Sequence, residues 1–442
     1  MSSAWRNWAG NEQARPVRVL HPADTAEVAD AVRTAAADGL RVKAIGSGHS
    51  FSPVAVAPDV QLRLDRLAGL RSVDRETGRV TVDAGMPLWR LNPLLAEHGL
   101  AMEILGDIDR QTVSGAVSTG THGSGTRFGG IATQIRGLEL VLADGSVASC
   151  SADERPELFA AARVGLGALG VITAVTLQCV PLFALHAHDA AMPVRETFDR
   201  IDELADSSDH FEFFWFPHST TTLTRRFRRM PADTPLKPIG AFARRLDETV
   251  SGLGFEGLNR IGTRLPGLVP PITRFAARAM STREWSDLSY RIFASPRDVR
   301  FHEGEFAIPR EHAVDALREI GRWIDAHDAK VSFPLEVRFA APDDIWLSTA
   351  HDRASCYIAF HQYHRMPYDA YFRACEAILG SYGGRPHWGK MHGLDAGLLR
   401  PRYARFDDFT ALRDLLDPSG VFANAYLDRV LGVAPEAKPV AP

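Results

Sequence analysis

The segment Thr112-Val113-Ser114-Gly115-Ala116-Val117-Ser118-Thr119-Gly120-Thr121-His122-Gly123-Ser124-Gly125 constrains this chain more than any other. It is dense in small hydroxyl residues and punctuated by glycine. Such a stretch offers many backbone donors with little steric bulk, which suits a large polar cofactor lying along the chain. A flexible linker is the plain alternative, but linkers rarely carry this many β-branched residues. An upstream segment has the same character. Val42–Ile45 reads as a short apolar strand that runs into Gly46-Ser47-Gly48-His49-Ser50-Phe51-Ser52. Glycines there let backbone N–H groups crowd toward a phosphate. The spacing is not that of the G-x-G-x-x-G dinucleotide fingerprint, and a loop of this kind taken alone is more often just a turn. A third glycine turn, Gly167-Ala168-Leu169-Gly170-Val171-Ile172-Thr173, leads into a strand.

The surrounding pattern alternates helix and strand. Asp24 to Asp38 reads as an amphipathic helix capped by Asp24 or Thr25. Val80–Ala84 reads as a strand. Pro87–His98 reads as a helix with Pro at its start and Gly99 just past its end. Ile135–Leu142 and Gly170–Val180 read as strands, the first closing on the turn Ala143-Asp144-Gly145-Ser146. Later strands are expected at Val331–Phe339 and Cys356–His361. The alternation argues for mixed helix and sheet, not a helix bundle. With 442 residues, more than one folding unit is expected.

Apolar residues make up 45% and charged residues 24%, the balance of a globular enzyme. The net charge of -4 gives no global electrostatic case for nucleic acid. The four cysteines, Cys150, Cys179, Cys356 and Cys375, form no CxxC pair and read as reduced, buried thiols of a cytoplasmic protein. The sixteen histidines are scattered, and no spacing reads as a metal site. The start MSSAWRNWAG has no apolar core of a secretory signal, and no apolar run reaches membrane-spanning length.

The three glycine motifs, in this order and at this separation, resemble the FAD domain of the vanillyl-alcohol oxidase superfamily. Leu158–Pro181, LFAAARVGLGALGVITAVTLQCVP, resembles gulonolactone oxidases. So do Gly384-Arg385-Pro386-His387-Trp388-Gly389-Lys390 and Asn424-Ala425-Tyr426-Leu427. The resemblance covers most of the chain and is weakest from about 182 to 280. It implies an α+β protein: a two-subdomain FAD-binding domain plus an α+β cap with an antiparallel sheet. The expected limits are 1–180 for the FAD domain, 181–386 for the cap, and 387–442 for a segment returning to the FAD domain.

The resemblance also implies roles. Cofactor contacts are expected from Gly46, Ser47, Gly48, His49, Ser50, Ser114, Gly115, Ser118, Thr119, Gly120, His122, Gly123, Gly170, Val171 and Ile172. His49 matches the histidine that relatives bond to the flavin 8α-methyl, and a neutral imidazole is a competent nucleophile near pH 7. A histidine that only hydrogen-bonds the cofactor is the alternative. Glu336 and Arg338, two apart on a strand, point to one face. On sequence alone they read as a surface ion pair, but relatives place an E-x-R pair and the HWxK lysine, here Lys390, over the flavin. Hydride transfer needs an acceptor, a route for the hydroxyl proton and offset of charge on the reduced flavin. Lys390 and Arg338 suit the last two needs, and Glu336 suits hydroxyl orientation. His361 is either a substrate contact or a core histidine, and His122 is open in the same way. His387 reads as structural.

The implied activity is oxidation of a sugar-1,4-lactone of the L-gulono or D-arabinono type. Oxidation of a polyol by an alditol oxidase is the alternative. The acceptor of electrons, O2 or a redox protein or dye, is left open. Arg225-Arg226-Phe227-Arg228-Arg229 and Arg244-Arg245 begin a stretch to Arg283 that reads as a solvated cap loop, with contact to an anionic membrane as the alternative.

Overall fold

The computed structural model describes residues 4–295 and 299–433, with the side chains of 241–251 left aside. Two sheets build the first lobe. Val60–Arg63 lies between Arg18–Leu20 and Val42–Ile45 in a parallel three-stranded sheet. A five-stranded antiparallel sheet has the order Val147–Ser151, Ile135–Val141, Val171–Gln178, Arg79–Asp83, Leu70–Asp74.

Helix Thr25–Ala37 packs near this sheet for reasons visible in the sequence. Asp24 caps it by accepting from the Glu27 N–H, and the Glu27 carboxylate reaches back to the Ala23 N–H, each at 2.8 Å. Val28, Ala29, Val32 and Ala35 form its buried stripe. A buried stripe of this kind supplies roughly 1.5–3 kcal/mol per large aliphatic side chain.

The cap is one eight-stranded antiparallel sheet. Its order is Arg283–Leu288, Phe183–Pro193, Thr221–Pro231, His210–Trp215, Leu335–Ala340, Ser355–Tyr363, Phe301–Pro309, Arg385–Pro386. The strand Leu335–Ala340 is buried on both faces, so its polar residues must find partners inside the protein.

The C-terminal helices Phe406–Leu416 and Ala425–Leu431 follow the cap. Asn424 donates to the carbonyls of Pro53, Val54 and Val56 on the first lobe. The Val42 N–H donates to the Val421 carbonyl at 2.7 Å. Among the described residues no helix is long and apolar enough to cross a membrane.

Two local expectations are corrected, and one segment given no element in the sequence is a helix. Val113–Ser118 is a short helix, with the Thr112 hydroxyl accepting from the Gly115 N–H at 3.2 Å. The threonine cap outweighs the weak helix propensity of the small residues behind it. The strand expected to start at Val331 starts at Leu335. Pro334 cannot donate to a ladder, and its carbonyl is taken by His361. Finally, the basic stretch is no loop. Thr221–Pro231 is a strand, and Ala241–Arg264 and Val269–Arg278 are helices. The side chains of Arg244 and Arg245 lie outside the described residues. All four cysteines are free and buried.

Candidate active site

The loop Gly46–Ser52 is shaped by close approaches. Gly48 has φ of +72°, a conformation that side chains disfavour. A Cβ on Gly46 would collide with the Thr112 hydroxyl, so this loop and the second glycine segment can touch only through glycine. The far side of the loop is clamped by the C-terminal motif. The N–H of Phe51 donates to the Gly389 carbonyl at 2.7 Å, and the Ser52 hydroxyl to the Trp388 carbonyl at 2.6 Å.

A cleft open to solvent, enclosing about 940 Å³, follows these segments. Gly46, Ser47, Gly48, His49, Ser50, Ser114, Gly115, Ser118, Thr119, Gly170, Val171 and Ile172 line it. A smaller cavity of about 480 Å³ is lined by His122, Glu305, Arg338, His387 and Lys390. Both cavities share His49, Ser50, Gln111 and Thr119, so His49 stands at their junction. Gly120 and Gly123 line neither; Gly123 packs on Leu105 and Ile104. Lys43 and Gln111 also line the larger cavity. Lys43 donates to the Gly167 carbonyl at 3.1 Å. Burial lowers its ammonium to about 7 against the pull of Asp417 and Asp428. One lysine in an apolar strand was the available signal for it.

His49 is held neutral. Burial first, then the charges of Arg110 and Lys390, lower it to about 4. Trp8 stacks on its ring at 5.9 Å. Its Nδ1 is buried with no hydrogen-bond partner among the described residues. A buried lone pair without a donor is costly unless something else meets it.

Across the cap sheet, charges alternate directly between neighbouring strands. Asp189 faces Arg225, Arg225 faces Glu212, and Glu212 faces Arg338. Arg225 binds Asp189 through two contacts of 3.0 Å. Arg338 donates from Nε to Glu212 at 2.9 Å, pairs with Glu336, and lies 3.5 Å from Asp107. Burial alone would lower the Arg338 guanidinium, but Glu336, Asp107 and Glu212 outweigh it and raise it well above its ordinary value. Arg338 is therefore a fixed cation at the smaller cavity. Glu336 does not line that cavity but holds Arg338 from behind.

Lys390 pairs with Glu303. Burial pushes its ammonium down, yet Glu303 and Glu305 win and raise it. His361 contacts the same carboxylate, Nε2 to Oε1 at 3.3 Å. His122 Nε2 lies 3.1 Å from Glu305 Oε1, and its ring stacks on Tyr357 at 3.5 Å. Glu303, Glu305, Glu212 and Asp107 were missed in the sequence. For Glu303 and Glu305 the run Phe301-His302-Glu303-Gly304-Glu305-Phe306 put two acids on one strand face without showing what they meet; Glu212 and Asp107 left no signal.

The fold also brings His122, Glu305 and His387 together, with nitrogen and oxygen atoms within 4.8 Å. Spacing along the chain had given no hint of such a cluster. His387 Nδ1 accepts from the Gly389 N–H at 3.0 Å. Burial lowers the ring to about 4, so it is neutral with its hydrogen on Nε2. That nitrogen has no lone pair for an ion; His122 pairs with Glu305, and His387 is held by the Gly389 N–H.

Comparison with known proteins shows the chain's family and fold. The pattern of the FAD binding domain matches residues 16–151, and that of D-arabinono-1,4-lactone oxidase matches residues 175–430. An L-gulono-1,4-lactone dehydrogenase of Mycobacterium tuberculosis is 45% identical, over 98% of this chain and 100% of that one. An L-gulonolactone oxidase of Mus musculus is 36% identical, over 96% and 98%. An alditol oxidase of Streptomyces is 34% identical, over 98% and 100%. A solved cholesterol oxidase from B. sterolicum superposes with a TM-score of 0.81 at 17% identity, over 98% and 97%, a likeness of fold alone. The chain thus belongs to the D-arabinono-1,4-lactone oxidase family, FAD oxidoreductases built on the vanillyl-alcohol oxidase fold.

Proposed function

We propose that this protein oxidises a hydroxyl of a sugar-1,4-lactone, of the L-gulono or D-arabinono type, with FAD attached covalently through His49. One observation carries the reading. His49, neutral and with an unpartnered Nδ1, stands where the long glycine-lined cavity opens into a smaller one that holds Arg338 and Lys390. The glycine- and hydroxyl-rich wall of the cavity suits FAD. On this reading residues 1–180 and 387–442 hold the cofactor and 181–386 cover it.

FAD, when bound, supplies the acceptor for the hydride. The protein's residues do the rest. Arg338 and Lys390 are fixed cations that bind hydroxyl oxygens and offset negative charge as it develops. Glu336 and Glu212 fix the Arg338 fork in place. Burial of Arg338 and of Glu212 and Glu336 beside it strengthens these interactions. Four reduced, buried thiols suit the cytoplasm.

Anaerobic mixing with a panel of aldonolactones and alditols tests the substrate. Bleaching by lactones at lower concentration than by alditols is expected. The reverse order would make the protein an alditol oxidase. Reoxidation by air or only by a dye then assigns the electron acceptor.

A further inference from the structure

Twelve large hydrophobic side chains are exposed among the described residues, and five of them fall between 253 and 275. Phe275 is 72% exposed and Leu253 70%, with Ile261, Leu265 and Leu268 between them. These residues belong to a helical hairpin. Helix Ala241–Arg264 turns through Leu265 and the short segment Pro266–Leu268 into helix Val269–Arg278. The two helices meet at Gly262, where an added Cβ would lie 3.0 Å from Val269 Cγ2. Apolar groups gathered toward water in one element mark a contact surface, whereas scattered ones need no account.

The inner side of the hairpin is already taken. Val269 is buried in an apolar cluster with Phe51, Phe301, Phe333 and Tyr363, and Phe255 packs against it. The Phe255 and Phe333 rings lie 4.7 Å apart, and the Glu256 carboxylate accepts from the Tyr363 hydroxyl at 2.7 Å. The outer side has its own composition. In the second helix Pro271, Arg274, Phe275 and Arg278 are exposed, at the spacing of a single helical face, while Val269, Thr273 and Ala277 are buried behind them. In the first helix Leu253, Arg260, Ile261 and Arg264 are exposed at helical spacing in the same way. From 252 to 278 the chain has four arginines and one carboxylate, Glu256, which pairs with Arg260. No carboxylate among the described residues pairs with Arg264, Arg274 or Arg278.

A face that mixes arginine with leucine, isoleucine and phenylalanine suits a surface that is anionic and apolar at once. A bilayer with anionic headgroups is such a surface. The apolar side chains enter the acyl boundary, while the guanidinium groups, on long stems, reach back to the phosphates. A second copy of the chain fits worse, because self-pairing of one patch would set the same arginines against each other. We propose that the hairpin 252–278 docks this protein on a lipid surface rich in anionic headgroups, through Leu265, Leu268 and Phe275 with Arg264, Arg274 and Arg278. The basic stretch of the sequence thus divides in two. Arg225 is held inside the sheet by Asp189 and Glu212, and the later arginines face the lipid. The cluster beneath the hairpin contains Phe51, two residues from His49, so the docking element is seated on the loop that carries His49.

Flotation of the holoenzyme with lipid vesicles tests this. Vesicles of mixed phosphatidylglycerol and phosphatidylcholine should carry the protein at low salt and release it as salt rises. Vesicles of phosphatidylcholine alone should leave it behind. The triple change Arg264→Gln, Arg274→Gln and Arg278→Gln should weaken binding to the anionic vesicles by about 10²-fold. A second variant, Leu265→Ser, Leu268→Ser and Phe275→Ser, should also float less although its arginines remain. Both variants should keep the flavin absorbance and Tm of the wild type, because the altered side chains are exposed. A wild type that does not float with anionic vesicles at low salt overturns the proposal, as does a glutamine variant that floats as well as wild type. Capture on polyglutamate without flotation would assign the face to an acidic protein and overturn the lipid surface. Self-association without flotation, abolished in the serine variant, would assign it to a second copy and overturn it equally.

Discussion

Arg338 and Glu212 face each other across two antiparallel strands, with Arg338 Nε 2.9 Å from the Glu212 carboxylate. Glu212 was not among the expected site residues, yet it accepts from the Arg338 Nε while Glu336 pairs with the same guanidinium. Breaking one partner of a buried ion pair costs about 3–5 kcal/mol. Glu212→Ala is expected to lose stability in this range, since Arg225 and Arg338 both lean on it. Urea unfolding at pH 7 measures it, and a loss below about 1 kcal/mol would mean that Glu336 and Asp107 suffice.

The strand places Glu336 and Arg338 together and turns Val337 the other way, into the core. Glu336→Gln should mainly raise KM, because Arg338 keeps Glu212 and Asp107. Arg338→Ala should also lower kcat, because a cation is gone from the smaller cavity. Val337→Ala should cost about 1–3 kcal/mol of stability and leave reduction untouched. Stopped-flow reduction of the three variants separates these outcomes. If Val337→Ala slows reduction most, the site is built from other residues.

Acid-precipitated wild type should stay yellow, and the colour should run with the protein on a denaturing gel. His49→Ala should release FAD to the supernatant. Free FAD from the wild type would leave His49 a mere neighbour of the cofactor.

Lys390→Ala should lower the rate of flavin reduction by about 10²-fold with near-normal FAD content. Its loss also leaves Glu303 facing Glu305 without the cation that holds both down. Full activity in that variant would make the HWGK segment structural.

Burial lowers His387 to about 4, and His210 and His392 to about 3. Each is neutral when folded but takes up a proton near pH 6.5 when unfolded. Between about pH 6.5 and 4 the unfolded chain therefore binds more protons, and stability falls as pH falls. Guanidinium unfolding at pH 7 and pH 5 should show the drop, and His392→Asn should lessen it. An unchanged drop in that variant would place the acid sensitivity elsewhere.

What the sequence made legible was local. The Asp24 cap, the strand Val42–Ile45 and the Gly46–Ser52 loop are written in consecutive residues, and each stands where its pattern puts it. The 336-residue step from Ser52 to Trp388 was reached only through family resemblance. Glu212, Glu303 and Glu305 depend on which strands become neighbours, and no spacing along the chain encodes that. The basic run at 225–229 misled for the same reason. Arg225 looks solvated until Asp189 and Glu212 arrive from two other strands. The helix that Thr112 caps, Val113–Ser118, was not read from the sequence, because its small residues carry little helix propensity.

The clamp between the Gly46–Ser52 loop and Trp388 has a consequence for biosynthesis. Ser52 leaves the ribosome 336 residues before its partner does. At about 5–20 residues per second, that is a wait of roughly 20–70 seconds. The loop that carries His49 cannot be pinned until nearly the whole chain exists. A chain cut before Trp388 lacks the carbonyls that hold Phe51 and Ser52, so on the proposed reading such chains should emerge colourless.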